Sequence, residues 1–126
     1  MSFASEPRDI QGFLTGGLTT SPSVNQVLAV MVVAVPGQIR TVAVSTNGVG
    51  NAAITVDLQI NGVSAWTLPA NRPTIAAGTP AYTVRFSRPN KRALRPGDIV
   101  NLVVISAANN VGVAATAILE YPDDQP

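Results

Sequence analysis

Residues 52–69 read AAITVDLQINGVSAWTLP. Ile54, Val56, Leu58 and Ile60 alternate with Thr55, Asp57 and Gln59. A period of two puts the four aliphatics on one face of a strand and the polar residues, Asp57 among them, on the outward face. Asn61-Gly62 follows at once, and both residues tolerate the positive φ that a type I′ turn requires. The chain is predicted to reverse there and return as a strand over Val63–Leu68, carrying Trp66, the only tryptophan. A hairpin with one apolar face is unstable alone, so the rest of the chain must supply a second layer.

Upstream, Val24–Val35 is rich in β-branched residues, which favours a buried strand over a helix. Pro36-Gly37 ends it, Ile39–Ser45 is the next strand, and 46–51 is a Gly/Asn loop. Downstream, residues 69–80 hold three prolines and a glycine, which marks an irregular crossing segment with Ile75 plugged into the core. Tyr82, Val84 and Phe86 alternate with Thr83, Arg85 and Ser87, which predicts a further half-buried strand. A basic loop, 88–98, precedes two last strands at 99–107 and 112–121. Seven or eight short strands without a helix predict an all-β chain, an antiparallel β-sandwich with jelly-roll-like connections. Residues 1–23 read as an extended N-terminal arm, 24–121 as the sandwich and 122–126 as an acidic tail.

The arm admits two readings. It is a disordered leader, or it lies on its own subunit or a neighbour through Ile10, Phe13, Leu14 and Leu18. Its first residues, MSFASEPRD, lack the basic start and apolar run of a signal peptide. The longest strongly apolar run, 27–35, is too short to cross a bilayer. The expectation is a protein made in the cytoplasm, with no membrane partner.

The 126 residues contain no histidine and no cysteine. That excludes disulfides, thiol chemistry, Cys/His zinc sites and His-based acid–base catalysis. Asp57, Asp98 and Glu120 are the carboxylates to consider for a hydrolytic pair. Asp57 faces outward and Asp98 follows Pro-Gly, a turn-capping position. No enzyme, cofactor or metal is expected. Only 12% of residues are charged, against roughly 25% in an average soluble domain. So little charge leaves a small surface without protection against association, which predicts a homo-oligomer or a bound partner.

Six of the eight basic residues fall between Arg72 and Arg95, a stretch without an acid. Arg88, Lys91, Arg92 and Arg95 are the candidate contact residues, facing another subunit or an acidic surface and steering its docking. Nucleic acid ranks last, because net charge is +1 and only Phe86 is interleaved for stacking. Trp66 and Tyr82 are candidates for stacking on a sugar ring, although a lone Trp in such a fold more often fills the core.

The segment VDLQINGVSAWTLPANRPTIAAG at 56–78, followed by RPGDIVNLVV at 95–104, resembles a module of tailed-phage virion proteins. The resemblance covers about half the chain, Ile54–Ile105, and carries over no functional residue. It implies a β-sandwich on virus particles: a head decoration protein, a head fibre base or a tail appendage. With the low charge, it implies a homotrimer in the virion that binds the major capsid protein or another virion protein and stabilises the assembled head. The alternative is a carbohydrate-binding module of a tail or surface appendage, using Trp66 and Tyr82.

Overall fold

The computed structural model describes residues 9–19 and 21–122, with side chains over 12–17 and 21–121. Ten strands follow in order: β1 (Asp9–Thr19), β2 (Val27–Val32), β3 (Gly37–Thr46), β4 (Ile54–Ile60), β5 (Val63–Ser64), β6 (Thr74–Ile75), β7 (Arg85–Ser87), β8 (Ala93–Leu94), β9 (Ile99–Ser106) and β10 (Val113–Pro122). The first sheet runs β1-β10-β3-β7, with β8 also on β3. The second runs β2-β9-β4-β5, with β6 also on β4. Every pairing is antiparallel. Between sequence neighbours the chain repeatedly crosses from one sheet to the other, which builds the expected jelly-roll-like sandwich.

The inner faces follow the period of two. Val42 and Val44 on β3 face Ile54, Val56 and Leu58 on β4 and Val100, Leu102 and Val104 on β9, all almost wholly buried. Each such side chain contributes about 1.5–3 kcal/mol by leaving water. Ile75 joins them, as its place in the crossing segment predicts. Bulges at Gly16/Thr19, Ile118/Leu119, Val27/Ala29 and Thr55/Val56 bend the strands. They let the sheets curl and bring β1 against β2. A Cβ added at Gly16 would stand 2.8 Å from Leu28 Cβ, so only glycine allows that approach.

The central hairpin forms as its sequence dictates: Asn61 and Gly62 both adopt positive φ, +53° and +83°. The return strand is short, however, because β5 ends at Ser64 and the chain dives inward at Ala65 and Trp66. Asn61 also latches a second turn. Its Nδ2 donates to Asp98 Oδ1 (3.0 Å), and its Oδ1 accepts the Ile99 N–H (2.9 Å). Asp98 Oδ2 accepts the Arg95 N–H (2.9 Å).

The Arg95 N–H, with the Asn61 amide behind it, holds the Asp98 carboxyl below its ordinary value near 3.8. A depressed folded-state pKa adds stability that is present above pH about 4 and is lost as pH falls through the folded value. The stability difference between wild type and Asp98→Asn, measured by urea unfolding, should therefore be largest at neutral pH and shrink below pH about 4. A gap that widens on acidification would refute the latch.

Further sequence expectations are corrected: the strand expected to be buried at 24–35 is an edge strand, β2, with Val27, Val30 and Val32 exposed. Asp57 is buried on the outer side of β4, because residues 69–73 pass over it. Tyr82, Val84 and Phe86 are exposed, because pairing of Val42 with Ser87 turns Ser87 inward and Phe86 out. Residues 9–19 of the arm form an edge strand of the same subunit, in register with β10 from Asp9↔Pro122 to Thr19↔Val113, so the sandwich begins before residue 24. The acidic residues 123–126 lie outside the described residues. Among the described residues no helix is long and apolar enough to cross a membrane.

Candidate functional site

The outer face of the first sheet assembles in rows read from the register. Glu120 lies beside Gln38 and Ala93. Phe13 lies beside Ile118 and Thr41. Thr15, Thr116, Ala43 and Phe86 form the next row, and Ala114 pairs with Ser45. Tyr82 stands by that last pair, lining a hollow of about 280 Å³. Phe13, Phe86 and Tyr82 are 62%, 65% and 76% exposed. Between them the side chains are mostly small. The face thus carries its charge at the Glu120–Arg40 end and exposes three aromatics along the uncharged rows beyond it.

Its Glu120 end opens into a cleft of about 750 Å³. Pro36, Gly37 and Gln38 form one wall, and Asn90, Lys91, Arg92 and Ala93 the other. The basic wall is fixed by its backbone. The Lys91 N–H donates to the Ala65 carbonyl (2.9 Å), the Arg92 carbonyl accepts the Ile39 N–H (2.8 Å), and β8 pairs with β3. Asn90 Oδ1 accepts the Thr67 N–H (3.2 Å), and Pro89 and Leu94 are buried beside it. Glu120 is already engaged, with Arg40 Nε at 3.3 Å and Gln38 Nε2 at 3.1 Å.

The structure brings Lys91 and Arg92 together in the cleft and leaves Arg88 and Arg95 outside its lining, both exposed. Leu14 is 6% exposed in its own subunit's core, which removes it as a partner contact; Phe13, next to it on the other face of β1, is free. The backbones of Ile10 and Leu18 lie in β1, but their side chains are outside the described residues. Trp66 is 3% exposed, and its indole N–H donates to Ser87 Oγ (3.0 Å), so it cannot stack on a sugar. Tyr82 is exposed but stands apart from it, held at φ +64° with its N–H on the Thr46 carbonyl (2.7 Å). Sequence reading missed Phe86, Gln38 and Glu120 as members of this face. The Thr83/Arg85/Ser87 parity was the signal for Phe86, and it is ambiguous without the β3 register.

The second polar cluster lies on the other sheet. Asp57 Oδ1 accepts Ser64 Oγ–H (2.7 Å) and lies 3.3 Å from Arg72 Nε; Gln59 Nε2 reaches Oδ2 at 3.4 Å. Arg72 Nε is buried without a well-directed hydrogen bond, so its attraction to Asp57 is coulombic. The Trp66 N–H donates to Ser64 Oγ (3.2 Å). The cluster therefore pins the crossing segment to β4. Asp57 and Glu120 occupy opposite outer faces of the sandwich and cannot flank one substrate. Among the described residues no three His, Cys, Asp or Glu side chains gather as metal ligands.

No family model matches the chain. No curated protein matches it. Among solved structures it is similar to a carbohydrate-binding module described as CBM36 in complex with calcium and xylotriose, with TM-score 0.42 and 11% identity over 89% of this chain and 99% of that one. A likeness at that level says nothing about ligands.

Proposed function

We propose that this protein is a non-enzymatic structural subunit that works by covering and being covered. The assembly it serves, in this reading, is a tailed-phage head, which it decorates and stabilises by binding the assembled lattice in preference to free subunits. The observation that carries the reading is the exposure of large apolar side chains on both outer faces. Phe13, Phe86 and Tyr82 mark one face, and Val27, Val30, Val32 and Ile99 mark the other. Large apolar side chains exposed in such numbers on one domain are characteristic of interaction sites. No charge lies between Asp9 and Arg40 to discourage association through β1 or β2. The two outer-face carboxylates are each committed to a basic partner, in keeping with a binding role.

The test combines light scattering behind size exclusion with co-sedimentation on phage heads, chosen by the reading frames beside the gene. The wild type should self-associate or be retained. Phe86→Ser, on an exposed position, should leave folding intact and weaken retention by roughly 30-fold, the loss of one aromatic anchor worth about 2 kcal/mol. A chain that stays monomeric at every concentration and passes over the heads refutes the proposal.

One observation favours a second reading, a carbohydrate-binding module of a phage tail or surface appendage. Three exposed aromatics separated by mostly small side chains present a surface on which sugar rings can stack. Tyr82 is retained from the sequence-based site, and Phe13 and Phe86 replace Trp66. Glycan-array binding abolished by Phe86→Ser and Tyr82→Ser would select it.

A further inference from the structure

The edges of the two sheets differ in length. β7 has three residues and β5, β6 and β8 have two each, too short to template another strand. The long edges are β1 and β2, and β1 closes over β2 where Gly16 meets Leu28. Beyond Leu28, no strand among the described residues pairs with β2 on the side away from β9. Natural sheet edges are kept apart by charge, proline or bulges. β2 has neither charge nor proline, and the chain carries no charge from residue 10 to residue 39. The bulge at Val27/Ala29 lies before Val30–Val32, which pairs regularly with β9.

The register with β9 fixes which backbone groups of β2 point outward. The Val33 N–H donates to the Asp98 carbonyl (2.8 Å), and hydrogen-bonded pairs alternate with non-bonded ones along an antiparallel ladder. Val32, opposite Ile99, and Val30, opposite Asn101, therefore turn their N–H and C=O away from β9. Ile99 agrees with this: its N–H donates to Asn61 Oδ1 and its carbonyl accepts the Asn61 N–H, both on the β4 side. Val30 and Val32 also hold their side chains outward, 61% and 66% exposed, whereas Met31 packs against the core.

We infer that the edge Val30–Val32 pairs with the same edge of a second copy, antiparallel about a two-fold axis between the two Met31 residues. In that register Val30 of each copy faces Val32 of the other, and each such pair exchanges both backbone hydrogen bonds. The valines meet on the outer face and continue into Ile99 of both copies as one apolar strip. An axis at Val30 would instead set Val32 against Leu28, whose carbonyl oxygen lies 3.2 Å from the place of a Gly16 Cβ. An axis at Val32 would set Val30 against Ala34, beyond the end of β2. A shift by one residue would put outward valines opposite the inward Met31. A second copy is the occupant because it brings matching donors, acceptors and valines, and no charge to oppose this edge. The contact is short beside the roughly 1,200 Å² of stable interfaces, so the dimer is weak and fills at high local concentration. The inference rests on the reading of this protein as one that self-associates, and it does not depend on the phage head.

The chain contains no cysteine, so single cysteines report the register. Met31→Cys sets two thiols in a non-hydrogen-bonded pair with Cα atoms about 4.5 Å apart, a separation that a disulfide spans. Val30→Cys sets them about 8 Å apart, too far for one. On mild oxidation the first should give a disulfide-linked dimer on a non-reducing gel, and the second should stay a monomer. Val32→Lys, at an exposed position, should weaken self-association in analytical ultracentrifugation about ten-fold, since the axis repeats the lost valine pair. Val30→Pro removes an outward N–H, spares the ladder with β9 and should abolish self-association. Cross-linking of Val30→Cys as readily as Met31→Cys overturns the inference. So does self-association unchanged in both Val32→Lys and Val30→Pro, which would mean that copies meet through another face. A wild type that is monomeric at every concentration yet retained on heads overturns this inference alone. A dimer in this register that passes over the heads sinks the head reading alone.

Discussion

Trp66→Ala should lower the unfolding free energy by about 3–5 kcal/mol, a large part of what a domain of this size possesses. The indole sits where the chain leaves β5 and enters the space between the sheets, 3% exposed. Removing it empties that space and deletes the donor to Ser87 Oγ. Ser87 keeps a second partner, since its hydroxyl donates to the Asn71 carbonyl, so the cost is dominated by the cavity. Trp66→Phe separates the two contributions: it keeps most of the volume, loses the hydrogen bond and should cost about 1–2 kcal/mol. Urea unfolding followed by circular dichroism measures both without relying on the lost fluorophore. An alanine variant within 1 kcal/mol of wild type would mean that the side chain is not part of the core.

Arg72→Met should cost about 3–5 kcal/mol, because it strands the Asp57 carboxylate where water cannot reach it. Asp57 is 0% exposed and Arg72 is the cation beside it, at 3.3 Å. The double variant Asp57→Leu/Arg72→Met should be more stable than Arg72→Met alone, since the burial penalty then falls on no charge. The remaining deficit belongs to Ser64, whose hydroxyl loses its acceptor. If the double variant is the less stable of the two, the lone Asp57 carboxylate is held by Ser64 and Gln59 without a burial penalty, and the desolvation argument is wrong.

These two positions also show what a sequence discloses and what it conceals. The β4–β5 turn was legible because both of its causes are local: alternation over Ile54–Ile60 and two residues that accept positive φ. The division into two sheets followed from the number of half-apolar strands. Asp57 was misassigned to solvent because the residues that bury it arrive from fifteen positions downstream, in a segment with no periodicity. Tyr82, Val84 and Phe86 were turned the wrong way because a three-residue strand has no face of its own. Pairing with Val42 and the bond from Trp66 to Ser87 decide it. The basic loop was visible as charge, but only folding separates Lys91 and Arg92, which share a cleft, from Arg88 and Arg95, which do not.

The pairing of β1 with β10 has a consequence for biosynthesis. Thr19 ends one strand and Val113 begins the other, so more than ninety residues must be translated between them. At about 5–20 residues per second, β1 emerges roughly 5–20 s before β10, its ladder partner among the described residues, exists. Through that interval a ribbon without charge from residue 10 to residue 39, carrying Leu14 and the valines of β2, lacks the late strands that it pairs with. The nascent protein is most exposed to capture by chaperones, or by a neighbouring ribosome's product, in the seconds before its last strand appears.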